Sequence, residues 1–158
     1  MHVKIETMSL EITINNDIKQ AMLARDKRKL EALRAIKAAL LLEKTGTEVG
    51  GVEIPESVEL TLLQKLVKQR KESAIIYREQ NRGELAEDEI YQASIIEKYL
   101  PEQMSEEEIV AIIKKIIEDT GSSTMKDMGR VMGMASKQLV GKADNKTVSG
   151  IVKQLLSN

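Results

Sequence analysis

The 158-residue sequence contains no cysteine, no tryptophan and no phenylalanine. Without a thiol there is no disulfide framework, no thiolate metal site and no cysteine nucleophile. That fits a cytosolic protein, and the cytoplasm is the expected compartment. Histidine occurs once, as His2, at a terminus that offers none of the positioning general acid–base catalysis requires. The only prolines are Pro55 and Pro101. No run approaches the ~20 apolar residues of a membrane span, and the opening "MHVKIETMSLEITI" lacks the continuous apolar stretch of a signal peptide. A soluble, untargeted chain with no membrane partner is the expectation.

With Tyr77, Tyr91 and Tyr99 as the only ring residues left for packing, a core must come from Leu, Ile, Val, Met and Ala. Those residues, with abundant Lys and Glu, favour helix over sheet. A chain of this length buries roughly 70% of its unfolded surface and needs no covalent staples. The net charge of −1 conceals a pattern. From Lys19 to Lys37 the net is +5, from Asn81 to Thr120 it is −7, and from Gly121 to the end it is +4. Two basic regions flank an acidic one.

The apolar periodicity predicts an all-α protein: a four-helix N-terminal domain over 15–100 and a small three-helix C-terminal domain over 101–158, after a flexible segment 1–14. Asn15 or Asn16 is the expected cap of the first helix, with Ile18, Met22 and Leu23 at helical spacing; Leu10, Ile12 and Ile14 alternate as a short strand would. Asp26 is the expected N-cap of a second helix with an apolar face of Leu30, Leu33, Ile36, Leu40 and Leu41. "TGTEVGGVEIP" reads as a loop. Pro55 suits the first turn of a third helix, whose buried side is expected at Val58, Leu62, Leu66, Ile75 and Ile76 and whose stop is expected at Gly83. A fourth helix follows. Pro101 disfavours helix at Leu100, and Ser105 with Glu108 forms a capping box for a fifth helix striped by Ile109, Ile112, Ile113, Ile116 and Ile117. Gly121 stops it, Ser123 is the expected cap of a sixth, and Asp144 that of a seventh with Val148, Ile151, Val152, Leu155 and Leu156 inward.

An enzyme needs a constellation of reactive groups, and little here supplies one. There is no GxGxxG after a strand, no phosphate loop and no glycine-flanked serine elbow. The acid trios Glu87, Asp88, Glu89 and Glu106, Glu107, Glu108 sit in first helical turns, where they complement the helix dipole. Neighbours in a helix point different ways, so neither trio makes a metal cage. No cofactor and no metal are expected, and catalysis by this chain alone is disfavoured.

The sixth helix, within "MKDMGRVMGMASKQLVGKAD", poses the main question. At about 100° per residue, Met128, Val131, Met132, Ala135 and Leu139 gather on one side, while Lys126, Arg130, Gly133 and Lys137 share the other with Gly129 at its border. A helical glycine costs about 1 kcal/mol relative to alanine. Either a neighbouring helix crosses close to Gly129 and Gly133, or the glycines flatten a basic surface against which a nucleic-acid backbone lies, with Lys126, Arg130 and Lys137 neutralising phosphates. Lys142, Lys146 and the amides opening the seventh helix extend that surface. Aromatic stacking platforms for single strands are missing there, so a folded RNA such as tRNA fits better than an unpaired strand.

The segments "LLQKLVKQRKESAIIYREQNRGELAEDEI", "IIEKYLPEQMSEEEI" and "TMKDMGRVMGMASKQLVGKADNKTVSGIVKQLL" together resemble the YqeY family, stand-alone relatives of the C-terminal tail of GatB, a subunit of the glutamine-dependent aminoacyl-tRNA amidotransferase. The resemblance runs from about Asn15 onward. It implies a helical domain followed by a small three-helix one, and an association with carbon–nitrogen ligase chemistry in which glutamine is the amide donor. In that enzyme the tail is similar to a tRNA-holding appendage, and its motif transfers only to "MGRVMG" and "GKAD" here, with no catalytic residue. The expected function is a non-catalytic module that binds tRNA, or a tRNA-handling protein complex, through Lys126, Arg130, Lys137, Lys142 and Lys146. The alternative is an adaptor that docks onto an amidotransferase or synthetase without touching RNA.

Overall fold

The computed structural model describes residues 9–46 and 54–157. Among them are seven α-helices, one short 3-10 turn and no strand, so the protein is all-α. The chain divides into two compact units between Tyr99 and Leu100.

The N-terminal unit holds α1 (Leu10–Leu23), α2 (Lys27–Gly46), α3 (Glu56–Glu79) and α4 (Gly83–Glu97). Helix α1 packs on α2, α2 on α4, and α3 along α4. Helix α1 begins earlier than Asn15. The Ser9 hydroxyl accepts the Ile12 amide at 3.3 Å, and Glu11 sits in the first turn, where its charge suits the helix dipole. Leu10, Ile12 and Ile14 therefore belong to a helix rather than a strand or a flexible arm, and only Ile14 of the three is buried. Residues 1–8, which hold His2 and most of the expected flexible segment, lie outside the described residues. Asp26 does cap α2, its Oδ1 accepting the Lys29 amide at 3.1 Å. Thr45 and Gly46 continue α2 rather than opening the loop; residues 47–53 of that loop are outside the described set.

The glycine expected to end α3 instead starts α4. Helix α3 stops because Asn81 takes a left-handed conformation, φ 60°, while its amide donates to Arg78 O and that of Arg82 to Tyr77 O. This paired closure accepts asparagine as well as glycine. The inward face of α3 also differs from expectation. Leu63, Val67 and Ala74 are buried, whereas Ile75 and Ile76 are about half exposed. Helix α3 meets α4 over small residues, with Ala74, Ala86 and Ala93 all buried, and the bulky isoleucines point away. On α2, Ala32, Leu33, Ile36 and Leu40 are inside, whereas Leu41, expected on the same face, is exposed. Tyr99 closes the unit, its phenol donating to the Asp17 carboxylate. Burial, then that hydrogen bond and the charge of Asp17, push the phenol pKa well above its ordinary value.

The C-terminal unit holds α5 (Glu106–Thr120), a 3-10 turn (Met125–Asp127), α6 (Met128–Gln138) and α7 (Asn145–Leu156), each helix packed on the other two. The Ser105–Glu108 capping box is present in both directions, and Gly121 at φ 67° ends α5. Ile109, Ile113 and Ile116 meet Val131, Ala135 and Leu139 of the α6 segment and Val148, Ile151, Val152 and Leu156 of α7 in one core. The start of α6 differs in detail. Thr124 rather than Ser123 caps the 3-10 turn, accepting the Lys126 amide at 3.3 Å. Residues ahead of α5 are tied to the α6–α7 connection: Met104 N donates to Lys142 O at 2.9 Å and Gln103 Nε2 to Gly141 O at 2.7 Å.

Candidate nucleic-acid interface

Burial of Val131, Ala135 and Leu139 turns the opposite side of α6 outward. Gly129, Arg130, Gly133 and Lys137 are all exposed on it and exposed Met134 borders it, whereas Lys126, expected on the same helical face, is exposed in the 3-10 turn that precedes α6. Lys142 and Lys146, in and after the α6–α7 connection, are exposed too. Asp144 is the N-cap of α7, yet its side chain makes no capping hydrogen bond.

Among the described residues, none of Lys126, Arg130, Lys137, Lys142 and Lys146 forms an ion pair; the ion pairs present are Arg28–Asp88, Lys44–Glu11 and Lys71–Glu97, all in the N-terminal unit. The acid embedded in the stripe, Asp127, is turned to another use. Its carboxylate accepts the amides of Ser123 at 3.0 Å and Thr124 at 3.4 Å. These backbone bonds, with a smaller contribution from Arg130, hold its pKa below the usual carboxylate value. Among the described residues Arg130 thus forms no salt bridge, although Asp127 lies three residues away and feels its charge.

The two explanations for the glycines part here. A Cβ built on Gly129 or Gly133 meets no heavy atom within 4 Å. No neighbouring helix of this unit crosses there, so the close-crossing alternative is not realised within it. The glycines leave a stretch of bare helical backbone in solvent between cations. The occupation of Asp127 has its own signal in "SSTMKD", where Thr124 and Asp127 have capping-box spacing.

The second basic region is arranged differently. Arg28 donates to Asp88 at 3.2 Å and lies 4.1 Å from the centre of the Tyr91 ring, so this cation is spent on joining α2 to α4. Asp88, one of the first acid trio, is thereby accounted for. Among the described residues no group of three acidic or histidine side chains converges as a metal site would require. A cleft of about 760 Å³ at one end of the N-terminal unit is walled by Glu11, Lys44, Glu56, Glu59, Lys98 and Tyr99 among others, and its Lys44 and Glu11 pair with each other at 3.3 Å.

Fold and surface together define an all-helical protein of two small units whose second unit presents a cationic, glycine-bared helix face. The chain belongs to the YqeY family: the family model described as Yqey-like protein matches residues 11–156. Among curated relatives, the "Altered inheritance of mitochondria protein 41, mitochondrial" of Meyerozyma guilliermondii is 35% identical over 88 residues, which are 56% of this chain and 44% of that protein. Its namesake in Kluyveromyces lactis is 29% identical over 143 residues, 89% of this chain and 72% of that protein. That of Pyrenophora tritici-repentis is 28% identical over 144 residues, 89% of this chain and 77% of that protein. The match thus spans less than half of the first relative and about three quarters of the other two. These names overturn the expectation of a cytoplasmic protein, since each relative is named as mitochondrial; the absence of cysteine on which that expectation leaned does not separate one reducing compartment from another.

Proposed function

We propose that the chain is a non-catalytic RNA-associated module, related to the tail of the glutamine-dependent aminoacyl-tRNA amidotransferase, that holds tRNA by its sugar-phosphate backbone. The face of α6 and the 3-10 turn before it carry the contact through Lys126, Arg130 and Lys137, and Lys142 and Lys146 extend it. One observation supports this most: these cations are exposed and form no ion pair among the described residues, beside glycines that no packing contact explains. Cations kept free in this way neutralise phosphates without first giving up an internal partner. Bare backbone at Gly129 and Gly133 brings the helix axis closer to a ligand than any side chain allows. With no aromatic residue in this unit, recognition is of backbone and shape rather than of stacked bases.

The test is retention of bulk tRNA by the purified chain across a salt series, beside a Lys126→Glu, Arg130→Glu, Lys137→Glu triple variant whose helicity and melting are unchanged. Wild-type binding falls steeply with salt. The variant loses affinity and its log–log salt slope is shallower by about 2 to 3, near one for each phosphate contact removed. Equal retention of tRNA by the two proteins at low salt would sink the proposal. Salt-insensitive capture of an amidotransferase or synthetase by both would favour the adaptor instead.

A further inference from the structure

The turn between α1 and α2 combines two features that the RNA reading leaves unused. Met22 and Leu23, the last residues of α1, are 55% and 79% exposed, and Leu23 is the most exposed large hydrophobic among the described residues. Lys19 sits one turn earlier, at the i+3 and i+4 spacings that put it on the same face. Arg25, Lys27 and Lys29 follow immediately, and none of these four cations forms an ion pair among the described residues. The one acid within the turn, Asp26, is occupied as the cap of α2.

The tip is also held firmly. Asp26 N donates to Ala21 O at 3.0 Å and Arg25 N to Met22 O at 3.1 Å, the same paired closure that ends α3 and α5. At the residue that must turn left-handed, α3 uses Asn81 and α5 uses Gly121, whereas here it is Arg25 at φ 56°. A long cationic side chain is kept where glycine or asparagine is the comfortable choice, and it stands beside the two exposed apolar residues.

We propose that this tip docks the protein on an anionic lipid surface, with Met22 and Leu23 entering the headgroup–acyl boundary and Lys19, Arg25, Lys27 and Lys29 meeting lipid phosphates. The chemistry selects among partners. RNA phosphates satisfy the cations but offer nothing to a protruding Met–Leu pair. A protein partner would need a concave pocket matched to a convex tip, while a bilayer admits an apolar wedge without shape matching and places negative charge around it. No helix among the described residues is long and apolar enough to cross a membrane, so the association is peripheral. The expectation of no membrane partner rested on that missing span, which surface docking does not require.

The test is co-sedimentation of the full chain with phosphatidylcholine vesicles, with and without added phosphatidylglycerol. Binding is expected only to the anionic vesicles and weakens with salt. A Met22→Ser, Leu23→Ser variant, altered where side chains are exposed, keeps its thermal unfolding and loses about tenfold or more in partitioning. Arg25→Gly, which eases the left-handed turn while removing a charge, loses about fivefold. No binding to anionic vesicles, or binding that the Met22→Ser, Leu23→Ser variant leaves intact, overturns the proposal. Loss of tRNA retention by that variant without any vesicle binding overturns it as well and assigns the tip to RNA.

Discussion

Arg28 and Arg130 are both exposed arginines in helical stretches rich in basic residues, yet the two units treat them differently. In the N-terminal unit Arg28 is drawn onto Asp88 and the Tyr91 ring, while Met22, Leu23, Leu41, Ile75 and Ile76 stand out in solvent. In the C-terminal unit aliphatics from all three helices meet in one core, and among the described residues Arg130 has no ion-pair partner. A count of lysines and arginines ranks the two regions as similar. Neighbouring chemistry separates a cation that joins helices from one that is free to meet a ligand.

The contrast is open to direct tests. Ile113→Ala, in the centre of the C-terminal core and without exposed surface, is expected to destabilise by about 2–5 kcal/mol. Ile76→Ala, at a position the sequence pattern also turns inward, stays within about 0.5 kcal/mol; urea unfolding of both variants checks the pair, and equal losses would erase the distinction between the units. Next in size, Arg28→Ala loses about 0.5–1.5 kcal/mol, as an exposed ion pair and a cation–π contact disappear together, whereas Arg130→Ala leaves stability unchanged in the same titration. Gly133→Ala acts in the opposite direction. Its new methyl meets open space, so the melting temperature rises by the equivalent of about 0.5–1 kcal/mol, and a fall would mean that the helix face is not bare. A separate effect is in alkali. Because the Tyr99 phenol is raised in the folded chain, its contribution is complete below the unfolded phenol value near pH 10 and is lost as the pH climbs beyond it. Tyr99→Phe flattens that decline, which urea midpoints measured on either side of about pH 10 would reveal.

The same division governs what could be seen in the sequence. Helix α5 announces both ends, through Ser105 with Glu108 and through Gly121, and of its isoleucine stripe Ile109, Ile113 and Ile116 are buried while Ile112 and Ile117 are partly so. Helix α7 is nearly as plain, since of Val148, Ile151, Val152, Leu155 and Leu156 at helical spacing all but the partly buried Leu155 lie inside. The N-terminal unit was harder to read because its tightest contacts use alanine. Ala32, Ala74, Ala86 and Ala93 carry too little apolar surface to mark a face; beside buried Ala74 the larger Ile75 and Ile76 are half exposed, and Leu41 is exposed beside buried Leu40. Turns misled for a related reason. Asn81 and Arg25 take left-handed conformations usually given to glycine, and Gly83, the conspicuous breaker, opens a helix. Of the basic side of α6, the composition and spacing were legible. That these cations form no ion pair among the described residues, and that the glycines face solvent, depends on where Asp127 and the neighbouring helices lie, which no local pattern states.

The bare glycines of α6 also bear on how the sequence drifts. A glycine codon becomes an alanine codon by a single base change, and at Gly133 that change meets no steric obstacle and strengthens the helix. Mutation and the demands of folding therefore both push this position toward alanine. Wherever the position holds glycine across related lineages, something outside the fold must be keeping it.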